Sequence, residues 1–423
     1  MLIKNNILRL QIFCVAILLL AFAMSSCNDA PTQVGMDFLR DTISIEIITE
    51  QENENIIPDA SSYLINTSQL NTGGILVGIA GDLKAAALIR FNTFGVPQSI
   101  REKIINGIVE CKLYLYPEKY AYGDTVANYL DFEIKEVTNY WFHNETTSDE
   151  VFNSANLYVG GRDLGGWDGT INRADSMDAI ELDFDKELFV EWMEKVYDGE
   201  IAEEDIVWGI AILPKPNSTI INRFRALNNF QANANFSVIK VKYYKDEEQT
   251  EIDSIEVKSA NECTFVETKE DNDSNDLIIQ GGVRIHSKID FDISEIPLFS
   301  CIHYAELILT LDETKSHKEI DFSDSIALVQ FTDIEKHGEG YGSPRSNIVL
   351  GEYDSTSKTI VFKNLLNLPL NNFLRGNQGK GTLVLTFRNL AIEANSLNKY
   401  VFHGINAADT SKRPKIKIVY SKP

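Results

Sequence analysis

Short runs of alternating polarity, rich in Ile, Val, Tyr and Phe and separated by turn residues, recur through this 423-residue sequence. A run of this kind can bury only one face, so it needs sheet neighbours beside it and a second layer above it. The runs fall at 43–48, 87–91, 108–116, 206–213 and 236–244, and again at 282–291, 304–311, 326–331, 359–362, 381–387 and 415–420. One segment departs from this period. Across 186–197 the residues Leu188, Phe189, Trp192, Met193 and Val196 recur at helical spacing, with Asp185 placed as N-cap and Gly199 beyond the end. Trp192 lies on the apolar stripe and reads as core.

The length exceeds what one ordinary core supports. The pattern predicts a mainly β protein of two tandem jelly-roll-like β-sandwich domains with short helical insertions. The domains are expected at 37–245 and 252–423, divided at the charged run 245–251, with a mobile polar loop at 267–276. The halves echo each other. In the first, 87–91 leads through Val96 and Pro97 into 108–116; in the second, 283–291 leads through Ile293, Ile296 and Pro297 into 304–311. Arg223, Phe224 and Ala226 precede the last strand of the first half, as Val401, Phe402 and Gly404 precede that of the second.

The N-terminus carries Lys4 and Arg9 before an apolar run from Ile12 to Met24. That run is shorter than the about 20 apolar residues of a membrane-spanning helix, so residues 1–26 read as a cleaved export signal. Met24, Ser25 and Ser26 directly before Cys27 resemble the lipobox of bacterial lipoproteins, with Met24 where Leu is usual. The resemblance implies lipid attachment at Cys27, a tether over 27–36, and a place in the cell envelope, at the outer membrane, facing the periplasm or the exterior. The tether, continuing into Val34 and Gly35, is similar to that of a Bacteroidetes lipoprotein family of unknown function.

The order of elements in each half resembles DNRLRE-type domains, β-sandwich modules related to carbohydrate-binding modules. The residues that carry the likeness are Arg90 and Phe91, the alternating Leu113, Tyr114, Leu115 and Tyr116, Trp141, and the run from Gly209 to Leu213 after the helix. The second half has no counterpart of Trp141, and its arginine is displaced to Arg284. The likeness implies glycan binding without catalysis.

Net charge is -23, and loss of Lys4 and Arg9 with the signal makes it -25, which repels phosphate backbones and argues against nucleic acid. Beyond Cys14 and Cys27 the cysteines are Cys111, Cys263 and Cys301, an odd number at wide spacing that is no disulfide framework or zinc ribbon. Cys111 reads as a buried hydrophobe, and an oxidising compartment would allow a bridge between Cys263 and Cys301. Asp271, Asp273 and Asn275 copy the start of a calcium loop, but Asp276 and Gly282 stand where Gly and Glu are required. The histidines show no metal-ligand spacing, and the glycine-rich stretch Gly338, Gly340, Gly342 with Tyr341 has no strand-to-helix setting for phosphate. No cofactor or metal is expected.

Aromatic residues give the functional lead, because a sugar ring's apolar face stacks on Trp or Tyr while polar neighbours bind its hydroxyls. Trp167 lies in a glycine-rich segment, read as a loop, with Arg162, Asp163 and Asp168 nearby; Tyr120 and Tyr122 follow a strand end. Trp167 is read either as a ligand platform or as a lid folded back on the sandwich. Tyr140, Trp141 and Phe142 read as core. Two functions follow: a lipid-anchored, non-catalytic glycan-binding protein, or a structural or adaptor lipoprotein that docks to another envelope protein.

Overall fold

The computed structural model describes residues 45–49, 56–65, 68, 72–172, 178–195, 206–226, 236–269, 275–317, 326–330, 348–363, 365, 379–388 and 390–422. Cys27, the tether, Asp271, Asp273 and the 338–342 glycines lie outside them. The protein is mainly β, and among the described residues the strand pairs are antiparallel. Every run of alternating polarity named above contains a strand, shifted at most a few residues at its ends. The expected helix spans Lys186–Glu194, with the Asp185 carboxylate accepting from the Glu187 and Leu188 amides.

The strands stack as four layers. The first contains Ile108–Leu115, Ile180–Asp183, Val238–Tyr244 and the front of the long strand Ile252–Thr268. That long strand shifts register between Ser259 and Asn261, and its rear pairs with Leu83–Phe91 in the second layer. A bulge is a usual device for turning a strand from one sheet to the next. Gly74–Ala80, Ile210–Pro214, Ile220–Arg225, Pro117–Gly123, Tyr129–Glu136 and Asp163–Thr170 complete the second layer. Between these two layers lies a core of Ile75, Val77, Ile89, Phe91, Leu113, Leu115, Ile239, Val241 and the helix residues Leu188, Phe189, Trp192 and Met193.

The third layer is built on Ile285–Asp292, flanked by Asp59–Leu64 and Lys380–Phe387; the fourth is built on Cys301–Thr310 and Lys415–Ser421, with Ile45–Thr49 at its edge. Ile289, Phe291, Leu385 and Phe402 from one side meet Leu307, Leu309, Phe362 and Ile418 from the other. Each pair of layers is thus a β-sandwich.

Strand pairing corrects the expected domain boundaries. Residues 245–251 form no linker: they are the turn of the hairpin joining Val238–Tyr244 to Ile252–Thr268, with the Lys245 amide donating to the Glu251 carbonyl at 2.8 Å. A charged, aperiodic run suits a hairpin tip as well as a linker. The first sandwich therefore extends through 268, and the second begins before it, because Ile45–Thr49 pairs with Lys415–Ser421 and Asp59–Leu64 with Ile285–Asp292. The chain visits the second sandwich first, builds the whole of the first, and returns. The two short strands at 45–64 fill the place that Ile252–Thr268 fills in the first sandwich, beside the closing strand in one layer and beside the second hairpin strand in the other.

The outer faces of layers two and three are also buried where they meet. Leu76, Ala80, Leu83, Ala85, Ile221 and Val266 pack on Ile278, Val283, Ile285, Leu397 and Val401. This explains why Gly74–Ala80 and Leu277–Gln280 are apolar at nearly every position: a strand buried on both faces loses its alternation. A further part of layer two's outer face is covered by Trp141, Val151 and Leu157 over Leu88, Cys263 and Phe265. Trp141 donates to the Trp208 carbonyl at 2.8 Å, and the Arg90 guanidinium lies over both indoles. Tyr140, read as core, is instead about half exposed, its ring edge against Trp208 and its hydroxyl on Glu145. Cys263 is buried in that layer whereas Cys301 is exposed in layer four, and both are unbridged thiols. Burial pushes the Cys111 thiol up, as befits a small core residue.

A buried charged group pins the crossing between sandwiches. Glu393, fully buried, accepts from the Arg284 guanidinium at 3.4 Å and meets the His286 ring at 2.8 Å; Arg284 also donates to the Ser68 carbonyl. The Ile65 amide donates to the Arg284 carbonyl and the Ser68 amide to the His143 carbonyl, so Ile65 is held by the second sandwich and Ser68 by the first. Burial alone would raise the Glu393 carboxyl, but His286 and Arg284 outweigh it and hold the pKa well below the ordinary 4.5. Since the folded value is depressed, its stabilisation is present above pH 4.5 and is lost as pH falls through the folded value. Glu393→Gln leaves a buried cation uncompensated and should cost about 3 kcal/mol at pH 7. Denaturant titration from pH 7 to pH 3 checks this: the variant should show a smaller loss of stability on acidification than the parent.

Candidate ligand-binding site

The six residues expected to bind a ligand do not converge. Asp163–Thr170 is an edge strand, not a loop, and pairs Trp167 with Phe132 and Asp168 with Asp131. The Trp167 ring is half buried, 6.0 Å from the Phe132 ring, and packs against the first sandwich's core. A Cβ at Gly169 would stand 2.9 Å from that indole, and one at Gly166 would stand 2.1 Å from the Phe132 carbonyl oxygen. The glycines therefore seat the ring and let the edge strand approach; of the two readings of Trp167, the geometry is that of the lid.

Its polar neighbours are engaged as well. Arg162 pairs with Asp185, at 3.2 Å, and with Glu191, tying the edge strand to the helix Lys186–Glu194. Asp163 accepts from the Gly165 amide at 2.9 Å, and Asp168 from the Tyr129 hydroxyl at 2.7 Å. Tyr120 and Tyr122 lie elsewhere, in the seam between sandwiches. The Tyr120 hydroxyl accepts from the Leu397 amide at 2.7 Å, Arg223 lies over its ring, and Tyr122 meets His317 edge-on at 4.7 Å. Asp276, taken from the calcium-like motif, binds the Lys315 ammonium at 2.5 Å. Among the described residues no group of three His, Cys, Asp or Glu is placed to hold a metal, and no helix is long and apolar enough to cross a membrane.

A different concavity has the dimensions of a ligand site. Between the helix Gln98–Gly107 and the 244–249 hairpin tip lies a cleft of about 540 Å³, within the usual range for bound small molecules. Glu102 and Asn106 line it from the helix, and Tyr244, Lys245, Asp246 and Gln249 from the hairpin. Pro97 stands as the helix N-cap, and Ile104 is buried between helix and sheet. Gly107 ends the helix against the Tyr244 ring, where a Cβ would stand 3.2 Å away. At the tip, the Asp246 carboxylate accepts from the Thr250 hydroxyl and from the Thr250 and Glu251 amides. Those bonds, the Thr250 hydroxyl first, hold its carboxyl below the ordinary carboxylate value. The cleft thus offers an aromatic ring, two amides and fixed charges of both signs.

Sequence reasoning missed this cleft because 245–251 reads as a linker and no helix is read between Pro97 and the strand at 108–116. Pro97 followed by Ile100 and Ile104 at helical spacing is the signal that marks the helix.

No family model matches the chain, and no curated protein matches it. Solved structures similar to it include the N-terminal domain of the Streptococcus gordonii adhesin Sgo0707, at 9% identity, 86% of this chain, 83% of that chain and TM-score 0.15. A second is the Streptococcus agalactiae AgI/II polypeptide BspA C-terminal domain, at 9% identity, 86% and 90% coverage and TM-score 0.13. The Macrobrachium rosenbergii nodavirus is a third, at 10% identity, 90% and 98% coverage and TM-score 0.16. At such scores the likeness carries no functional argument.

Because the Trp167 ring packs on Phe132, Trp167→Ala should cost about 2 kcal/mol of stability, measured by denaturant unfolding. A ring held out for ligand alone would leave stability unchanged.

Proposed function

We propose that this protein is a non-catalytic lipoprotein of the bacterial cell envelope, held at the outer membrane through Cys27 and binding a glycan in the Tyr244 cleft. The observation that carries the reading is the cleft itself: an aromatic ring beside the Asn106 and Gln249 amides and the Glu102 and Asp246 carboxylates. A sugar needs this combination, since its ring stacks through carbon–hydrogen bonds while its hydroxyls both donate and accept. Placement supports the reading too. The cleft is on the first layer, whereas the chain leading from Cys27 joins the body in the fourth. With sheets about 10 Å apart, those layers stand about 30 Å from one another, which would present the cleft away from the anchored side.

A second reading, docking to another envelope protein, is favoured by the Asp163–Thr170 strand. Among the described residues it pairs on one edge only, with Tyr129–Glu136, which leaves an edge on which a partner strand could add.

Isothermal titration against a panel of bacterial and host polysaccharides separates the two. Glycan binding should be seen with the parent and with Trp167→Ala, and should fall at least tenfold in Tyr244→Ala with folding intact, since stacking contributes about 1.5 kcal/mol. Binding that survives Tyr244→Ala, or none to any member of the panel, would count against the cleft.

A further inference from the structure

The first and fourth layers differ at one corner of their outward faces; elsewhere the fourth carries charges too, with Lys417 opposite Glu306 and Lys363 paired with Glu352. On the first, Lys240 pairs with Glu256 at 2.9 Å, Lys242 with Glu110 at 2.9 Å and Lys112 with Glu181 at 3.6 Å, so the face is a lattice of ions. On the fourth, the corresponding cross-strand row is Ile47, Val419 and Tyr304, and the next is Ile45, Ser421 and Cys301. Ile45 is 62% exposed and Ile47 is 53% exposed.

Directly before Cys301 lies a turn, 297–300, that adds to this corner. The Ser300 amide donates to the Pro297 carbonyl at 3.0 Å, closing a four-residue turn with Leu298 and Phe299 at its tip. Leu298 is 54% exposed and Phe299 is 70% exposed. Phe299 also has a φ of 75°, the left-handed region that a turn normally gives to glycine. A bulky aromatic is held there against its backbone preference and away from any core, so packing does not account for it.

The occupant follows from what is tethered beside it. Ile45 is both part of the apolar corner and the first described residue after the chain from Cys27, 18 positions earlier. Those residues span at most about 60 Å when extended, so acylation alone leaves open which face meets the lipid. We propose that the Leu298–Phe299 turn and the Ile45–Ile47 edge enter the lipid interface and set the body with this corner of its fourth layer against the membrane. This rests on the lipoprotein reading for the anchor, but the contact is a property of the folded surface. An aromatic and branched aliphatic side chains suit an acyl boundary, and the net charge of the protein disfavours anionic headgroups.

The test uses the mature chain with Cys27→Ser, floated with phosphatidylcholine–phosphatidylethanolamine vesicles, while mass spectrometry of the parent reads acylation separately. The unacylated chain should partition measurably, and less when phosphatidylglycerol is added. Phe299→Gly should lower partition about tenfold while leaving the melting temperature unchanged or raised, because glycine removes the backbone strain. Partition without acylation of the parent would support the contact and sink the anchor. Acylation of the parent with no partition of the Cys27→Ser chain, or partition unaffected by Phe299→Gly, would overturn the contact. So would a Phe299-dependent crosslink to an envelope protein with no vesicle binding.

Discussion

Pairing of Ile45–Thr49 with Lys415–Ser421, and of Asp59–Leu64 with Ile285–Asp292, closes the second sandwich with residues that precede the entire first sandwich. Glu46 and Tyr420, bonded at 2.8 Å, are 374 positions apart. Backbone groups along a sheet need partners, and an unfilled edge beside two closing strands would expose a ladder of donors and acceptors. The chain must therefore leave the second sandwich, build the first between 72 and 268, and return. The two sandwiches are interlocked by covalent order as well as by packing.

The remainder of the architecture follows from that crossing. Because the chain passes between the sandwiches twice, layers two and three are drawn face to face, and their outer surfaces become a second interior. The Arg284–Glu393–His286 group sits under the first crossing, where Arg284 reaches the Ser68 carbonyl. What remains outward includes an ion-paired face on the first layer and, beside the chain from Cys27, an apolar corner of a fourth layer that also carries Lys417, Glu306 and the Lys363–Glu352 pair.

Much of the β content was legible because alternation is local: 108–116 or 415–420 can be recognised without knowing the partner. The helix Lys186–Glu194 was equally plain, from its stripe and the Asp185 cap. Pairing was not legible, since Ile45–Thr49 reads as a strand whichever sheet receives it. Strands buried on both faces, such as Gly74–Ala80, carry no alternation to read. At the site the sequence showed which residue types could stack on a sugar, but not which rings would be held by neighbours. Trp167 was seated by Gly166, Gly169 and Phe132, a packing relation that glycine content alone presents as a loop.

Hydrogen exchange on a chain lacking residues 1–65 tests the crossing most directly, read at the amides of Lys415–Ser421 and Ile285–Asp292 with and without a synthetic 44–65 peptide. Closure of the second sandwich by 45–64 predicts that those amides lose protection when residues 1–65 are absent and regain it when the peptide is added, while Leu83–Phe91 stays protected throughout. Full protection of the two strands without residues 1–65 or the peptide would contradict it.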